Sequence, residues 1–275
     1  MDQRLVLHTL LRQYCITRRD ECDSLYRRFI LDGSRKEPDL DRFNALVESS
    51  EGHRRIVRVQ AVEAILRAVE RHTFESAQTP DGLAADVEAS ASASAVWREE
   101  FITESVVLEA LAEERRSFAN YLNSLRVNLP RRVDPLPFRR TLQEQETAAL
   151  WDALNQRWDT THGYWHPRTG LAIPTDVWVF NETFAESGGS DTIRTILRNR
   201  SVARIFELDR FDERPCEIDA DVLEIRYEIP ELYWTAQPFD WICYASHEGT
   251  VAIGGDWMLS ALRQSCPEVD EHRIA

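Results

Sequence analysis

The chain has 275 residues, of which 43% are hydrophobic and eight are tryptophans, and this composition excludes a wholly disordered polypeptide. Its 33 basic and 47 acidic residues give a formal net charge of −14, which argues against nucleic acid and anionic membranes as partners because both would be repelled. The five cysteines contain no C-x-x-C pair and no apolar run reaches about 18 residues, so we expect no disulfide framework, zinc ribbon or membrane segment.

The first half of the chain is predicted to be helical. Apolar residues recur at helical spacing over residues 5–30, and Asp32-Gly33 then stops the pattern. A second helix is expected over about 39–72, interrupted near Ser50-Glu51-Gly52, and a third over about 97–125. Residues 76–95, between the second and third helices, are rich in Ala and Ser and predict a mobile loop; because Ala also favours helix, the alternative is that the end of this stretch joins the third helix.

Three prolines within residues 130–137 predict a domain boundary. We therefore expect a helical domain over residues 1–130 and a second domain over residues 138–275. The fold class is predicted as α+β, with an N-terminal all-α helical region followed by a C-terminal α+β domain that has a mainly antiparallel sheet. Strands are expected at residues 176–181, 202–208, 222–229, 241–246 and 250–253.

Local patterns in the second domain make sharper predictions. Residues 222–229 alternate strictly between apolar and polar side chains, as in a half-buried antiparallel strand. His247-Glu248-Gly249 predicts a hairpin turn in which the glycine supplies a positive φ. Thr141 with Glu144 predicts a capping box, and Asp256 is expected to cap the last helix.

The densest charge lies in residues 207–231, with ten acidic and three basic side chains. Such carboxylates can speed the encounter with a basic protein and select among partners, and nearby aromatic side chains can anchor the contact. The alternative is a solvated loop and the polar face of a strand. The predicted partner-binding residues are Glu213, Glu217, Glu224, Glu228, Tyr233 and Trp234.

Three histidines are candidates for chemistry. His162 and His166 have an H-x-x-x-H spacing, but Gly163 and Pro167 place them in a loop, and no third metal ligand is evident from the spacing. Ser246-His247-Glu248 combines a hydroxyl, an imidazole and a carboxylate, yet consecutive strand residues point to opposite faces and cannot form a relay. We therefore predict no catalytic residue, no metal site and no cofactor.

A stretch near the C-terminus carries a resemblance to a known group of proteins. It comprises Tyr233-Trp234-Thr235, then Phe239-Asp240-Trp241-Ile242-Cys243-Tyr244-Ala245-Ser246-His247-Glu248, then Ile253-Gly254-Gly255. Residues 231–262 resemble uncharacterised bacterial proteins of polymorphic or contact-dependent toxin systems, which look like immunity proteins. The resemblance implies a cytoplasmic antitoxin that binds a toxin domain and blocks it, but it assigns no binding residues.

The leading hypothesis is a cytoplasmic immunity protein that occludes a basic cognate toxin through an acidic, aromatic-anchored surface. The N-terminus shows no convincing signal-peptide pattern, which favours the cytoplasm. One alternative is a hydrolase that uses His162, His166 or His247 with nearby carboxylates. Another is a scaffold protein that forms a homodimer through its N-terminal helices.

Overall fold

The computed structural model describes most of the chain, and its residues divide into two units. The described residues are 1–34, 40–94, 96, 105–160, 173–209, 215–227 and 231–274. The two compact units are Met1–Leu136, which is helical, and Pro137–Ala275, which contains an antiparallel sheet. The protein is therefore α+β, and its described residues include no helix with the length and apolar character needed to cross a bilayer.

The N-terminal unit is a set of packed helices. Their bounds are α1 Gln3–Ser34, α2 Leu40–Val47, α3 Ser50–Arg71, α4 Pro80–Ser92 and α5 Ser105–Val127. The interruption predicted near residues 50–52 is confirmed, because the Ser49 hydroxyl accepts the Gly52 amide at 3.0 Å and starts α3 there. Apolar side chains from α1, α3, α4 and α5 form one core, with Leu11, Val69, Leu83 and Leu122 fully buried.

Residues 76–95 do not form the predicted mobile loop. Their centre is α4, which begins where the Thr79 hydroxyl accepts the Gly82 amide at 3.0 Å, with Pro80 in the first turn. Leu83 and Val87 are fully buried on this helix. The prediction is wrong because alanine is both common in linkers and the best helix former, and buried leucine and valine decide between the two.

Charged side chains also lie inside the helical unit. Glu114 of α5 is only 1% exposed and accepts hydrogen bonds from Arg18 of α1 and Arg58 of α3. Burial alone would raise the pKa of Glu114, but the hydrogen bonds from the two arginines outweigh it, and the pKa is lowered. Arg12 and Glu70 form a second buried pair at 3.1 Å. These pairs join α1 to α3 and α5.

The C-terminal unit has three layers, with a seven-stranded sheet in the middle. Its elements are β1 Arg139–Thr141, α6 Glu144–Trp158, β2 Val177–Asn181, α7 Thr183–Glu186, α8 Gly189–Asn199, β3 Arg204–Asp209, β4 Cys216–Asp219, β5 Leu232–Thr235, β6 Ile242–Ser246, β7 Thr250–Gly254 and α9 Asp256–Ser265, with 3-10 turns at Ala220–Val222 and Pro267–Glu271. The strand order is β1-β4-β3-β5-β6-β7-β2, and every pairing is antiparallel. Helix α6 packs on one face of the sheet, and α7, α8 and α9 pack on the other.

Most predicted strands are confirmed, and one is wrong. The strands expected at 176–181, 202–208, 241–246 and 250–253 are β2, β3, β6 and β7. Gly249 has φ 77° in the turn between β6 and β7, as predicted.

Residues 223–227 do not form the strand predicted over 222–229. Leu223 and Ile225 are buried whereas Glu224 and Arg226 are exposed, so the predicted alternation of buried and exposed side chains is present. The backbone, however, bonds to helix side chains: the Ile225 amide donates to Ser190 Oγ at 2.9 Å, and Arg194 donates to the Leu223 carbonyl at 2.7 Å. Alternating apolar and polar side chains indicate an extended backbone that is packed on one side. A β-strand also requires hydrogen bonds to a neighbouring strand.

Two predicted helix caps are displaced. Thr141 ends β1, and α6 begins after Gln143, whose amide donates to Glu146 Oε2 at 2.9 Å. Asp256 is the first residue of α9, and Gly255 occupies the cap position with φ 112°. A Cβ at Gly255 would lie 2.4 Å from the Asp240 carbonyl oxygen, so this close approach of two backbones requires glycine.

Candidate functional site

The four predicted contact residues that the structure describes do not share one surface. Glu213 and Glu228 lie outside the described residues. Glu217 lies on β4, where its carboxylate is paired with Arg140 Nε at 3.0 Å, so its charge is already matched within the fold. Glu224 is exposed, in the segment that packs on α8.

Tyr233 and Trp234 are buried, and the prediction that they anchor a partner is wrong. They are 1% and 0% exposed, because β5 lies between β3 and β6 and helices cover both faces of the sheet. The Tyr233 ring packs edge-on against Trp151 of α6 at 5.3 Å between centroids. The Trp234 indole N–H donates to Glu207 Oε2 at 3.0 Å. Both aromatic side chains therefore stabilise the core.

Antiparallel pairing brings carboxylates from separate parts of the chain to one end of the sheet. The ends of β2, β3 and β6 lie there together with the starts of β5 and β7. We call the carboxylates at or next to these strand ends the acidic edge: Glu182, Asp209, Glu231 and Glu248. Glu182 lies against the hairpin turn, since its Oε2 is 3.2 Å from the position of a Cβ at Gly249. Among the described residues, no Arg or Lys forms an ion pair with Glu182, Glu231 or Glu248.

A buried carboxylate and an exposed imidazole form the centre of the acidic edge. Glu231 Oε1 lies 3.0 Å from His247 Nδ1; the Glu231 side chain is 1% exposed and that of His247 is 44% exposed. His247 Nε2 faces away, 3.7 Å from Glu248 Oε1. A carboxylate on Nδ1 keeps the proton on that nitrogen and orients the ring.

Two further buried polar atoms lie next to this pair. They are Glu231 Oε2 and the Tyr244 hydroxyl. Tyr233 pairs with Tyr244 across β5 and β6, with 4.6 Å between ring centroids, so side-chain alternation places Glu231 on the same sheet face as both rings. Burial raises the pKa of Tyr244, and the nearby Tyr233 and Glu231 raise it further, so the phenol keeps its proton. The Tyr244 hydroxyl lies within hydrogen-bonding reach of Glu231 and of Ser246, so these buried groups face one another.

A second histidine at this end of the sheet is held by a chain of hydrogen bonds. The Thr183 amide donates to Asn181 Oδ1 at 3.1 Å, so that oxygen is an acceptor and the Thr183 hydroxyl donates to it as well. Thr183 Oγ1 accepts from His272 Nδ1 at 2.7 Å, which leaves His272 Nε2 at 3.3 Å from Ser187 Oγ. The Ser187 hydroxyl donates to the Thr183 carbonyl at 2.6 Å instead. His272 therefore joins the C-terminal 3-10 turn to α7 and has a structural role.

The chain matches no protein-family model, no curated protein and no solved structure.

The acidic edge can do two things chemically. Its carboxylates can receive a cation, and His247 Nε2 can accept a proton. Within the described part of the chain, no hydroxyl or thiol is hydrogen-bonded to Nε2, and Ser246 Oγ accepts the Glu248 amide at 3.1 Å in the turn. The described residues also contain no group of three or more His, Cys, Asp or Glu placed to hold a metal ion. His162 and His166 lie outside the described residues.

Sequence reasoning missed Glu231 and Tyr244 as a pair. The available signal was a glutamate two residues before Tyr233, which puts a charge on the same face of a strand that is otherwise apolar. A charged residue on a buried face is uncommon unless it is paired. What the sequence does not contain is the pairing of β5 with β6, which places Tyr244 beside that charge.

Proposed function

We propose that this protein is an immunity-type inhibitor that binds a basic toxin domain and occludes it, and that the acidic edge makes the contact. One observation carries the proposal. Glu231 is a buried carboxylate that has no Arg or Lys partner among the described residues, and exposed Glu182 and Glu248 flank it. A buried charge of this kind is costly until a cation pairs with it, and a basic partner supplies the cation.

The distribution of charge supports the same partner. Residues 1–130 hold 18 basic and 22 acidic residues, whereas residues 131–275 hold 15 and 25, so the excess of negative charge is concentrated in the second part of the chain. A field of this sign speeds association with a basic protein by about 10–1000-fold at low salt. The segment that carries exposed Glu224 is joined to Glu182, because Tyr227 donates its hydroxyl to the Glu182 carbonyl at 3.2 Å.

The mechanism differs from the one expected from sequence. Tyr233 and Trp234 are in the core, so aromatic side chains of this strand do not hold the partner. The partner is instead bound by charge-assisted hydrogen bonds between basic side chains of the toxin and the carboxylates of the acidic edge. A stable complex of this kind buries at least about 1,200 Å² in total, so the contact covers more than these carboxylates.

The test is protection from the product of the neighbouring gene. The full chain is co-expressed with that product, and growth and binding are compared between two variants with equal charge change. One variant is Glu182→Lys with Glu248→Lys, and the control is Glu109→Lys with Asp152→Lys, which alters exposed helix positions that are not members of the acidic edge. We expect the control to protect cells and the edge variant to lose about 100-fold or more in affinity and to fail. Equal protection by both variants, or a harmless neighbour, would contradict the proposal.

A hydrolase is the second candidate, and one observation favours it. A buried carboxylate on Nδ1 with Nε2 facing outward is the arrangement that orients a general base. The variant His247→Asn distinguishes the hydrolase from the inhibitor. This change removes the base and abolishes hydrolysis of a generic ester such as p-nitrophenyl acetate, but it leaves the carboxylates that bind a basic partner.

A further inference from the structure

We propose that the protein forms a homodimer through one exposed face of helix α1, with the two copies of the helix packed antiparallel about Ser24. We call this surface the α1 face; it consists of Thr17, Asp20, Ser24, Arg28 and Leu31. The inference goes beyond the proposed function and does not depend on it, because the α1 face belongs to the helical unit and the acidic edge to the other unit.

The α1 face is a continuous exposed stripe. All five of its residues are exposed, on a helix whose other side packs against α3. At 3.6 residues per turn the five side chains project within about 40° of one direction, and at 1.5 Å per residue the stripe is about 21 Å long. Ser24 lies at its centre, in a groove of about 510 Å³ that Asp20 and Arg28 border. A small residue in a groove allows a second helix to pack closely.

The charges of the α1 face are self-complementary. Asp20 lies four residues before Ser24, and Arg28 lies four residues after it. When two copies pack antiparallel with Ser24 on the twofold axis, Asp20 of each copy is level with Arg28 of the other. The symmetry forms this pair of opposite charges twice, as in any isologous interface. In the same arrangement Thr17 is level with Leu31.

The border of the α1 face repeats this charge pattern. Glu21 and Arg27 are exposed and lie three residues to either side of Ser24, so they too are level with each other in the antiparallel pair. A parallel pair would place each residue next to its own copy, and like charges would then repel. The charge pattern therefore favours a second copy of this chain as the occupant, in the antiparallel orientation.

The charged groups are available to a second copy. Arg28 forms no ion pair within the part of the chain that the structure describes. Asp20 pairs with Arg19 at 2.8 Å, but the Asp20 side chain is 63% exposed. Glu21 and Arg27 are also paired within α1, and both are more than half exposed. Exposed pairs contribute at most about 1 kcal/mol, and a carboxylate accepts several hydrogen bonds, so these pairs leave room for bonds across the axis.

Apolar side chains are exposed at the same end of the helical unit. Leu31 is 58% exposed, and Leu40 and Phe43 of α2 are 72% and 41% exposed. Helix α2 packs on α1, and none of its residues is buried. Exposed apolar side chains that lie together are typical of a contact surface. A strip about 21 Å long and about 10 Å wide buries less than the roughly 1,200 Å² of a stable interface, so we expect a weak dimer with a dissociation constant of about 10–100 µM.

The test is sedimentation equilibrium of the full chain between about 1 and 500 µM. We expect the weight-average mass to rise from that of one chain towards that of two. Asp20→Arg makes the α1 face basic and Arg28→Asp makes it acidic, so each variant alone should raise the dissociation constant at least about tenfold, because two like-charge pairs form across the axis. A mixture of the two variants should form a heterodimer as tightly as the unmodified chain forms its homodimer. The double variant Asp20→Arg with Arg28→Asp should dimerise again.

Matched controls carry the same charge changes elsewhere. Glu109→Arg and Arg116→Asp alter exposed positions of α5 and should dimerise as the unmodified chain does, and circular dichroism checks that every variant keeps its helices. The proposal is wrong if the chain stays monomeric over the whole range, if the single variants dimerise normally, or if their mixture associates no better than its components. The acidic-edge variant Glu182→Lys with Glu248→Lys should dimerise normally, so the dimer and the inhibitor proposal can fail separately.

Discussion

Acid should destabilise the helical unit through one buried histidine, His8 of α1. His8 is 4% exposed, and desolvation, reinforced by the charge of Arg12, lowers its pKa to about 4 from an ordinary value of 6.5. The unfolded chain therefore binds the proton more tightly than the folded chain. The stability contributed by neutral His8 is complete above pH 6.5 and is lost as the pH falls towards about 4. The gap between 6.5 and about 4 corresponds to about 3 kcal/mol, of which about 2 kcal/mol is lost by pH 5.

The assay is urea unfolding of the full chain at several pH values. Far-UV circular dichroism follows mainly the helices of the first unit, and Trp fluorescence follows the second, because seven of the eight tryptophans lie in residues 151–257. The variant His8→Gln does not titrate, so it should lose about 2 kcal/mol less than the unmodified chain between about pH 8 and pH 5. His53→Gln on α3 is the control. If His8→Gln and the unmodified chain lose the same free energy of unfolding over this range, the reasoning is refuted.

Three further predictions concern stability. Glu231→Gln should stabilise the C-terminal unit by about 1–2 kcal/mol, since it removes a buried charge that has no Arg or Lys partner among the described residues; a lower calorimetric Tm would contradict this. Gly249→Ala should cost about 1 kcal/mol in urea unfolding, because the residue has φ 77°, and no loss would argue against a strained turn. Glu114→Ala should cost about 3 kcal/mol, because Arg18 and Arg58 lose their shared buried carboxylate, whereas exposed Glu113→Ala should cost far less.

Local patterns predicted the helices and strands where burial alone decides them. Strand β2 lies in a sheet that helices cover on both faces, so its side chains are apolar on both sides. This uninterrupted apolar run is visible in the sequence and predicts a buried strand. The β6–β7 hairpin was predicted because glycine supplies the positive φ that its turn requires. Residues 80–92 were misassigned because alanine suits both a linker and a helix, and only the burial of Leu83 and Val87 separates the two.

The candidate site was predicted less well than the fold. The acidic count over residues 207–231 included two members of the acidic edge, Glu231 and Asp209. A count of acidic residues does not distinguish Glu217 from Glu231. Glu217 is paired with Arg140 across β4 and β1, whereas Glu231 has no Arg or Lys partner among the described residues. It also treated Tyr233 and Trp234 as exposed, although β5 is a central strand.

The sequence by itself determines the fold class, the order of the helices and strands, and the negative net charge of the second part of the chain. Helical and strand periodicity are patterns among residues close in sequence, and net charge needs only the composition. The composition of the acidic edge is a property of the tertiary structure. It depends on the pairing of β3 with β5 and of β2 with β7, strands that are not consecutive in the chain. That pairing carries Glu182, Asp209, Glu231 and Glu248 to one end of the sheet and buries one of them beside Tyr244, because the energy of such contacts depends on distance in space and not along the chain.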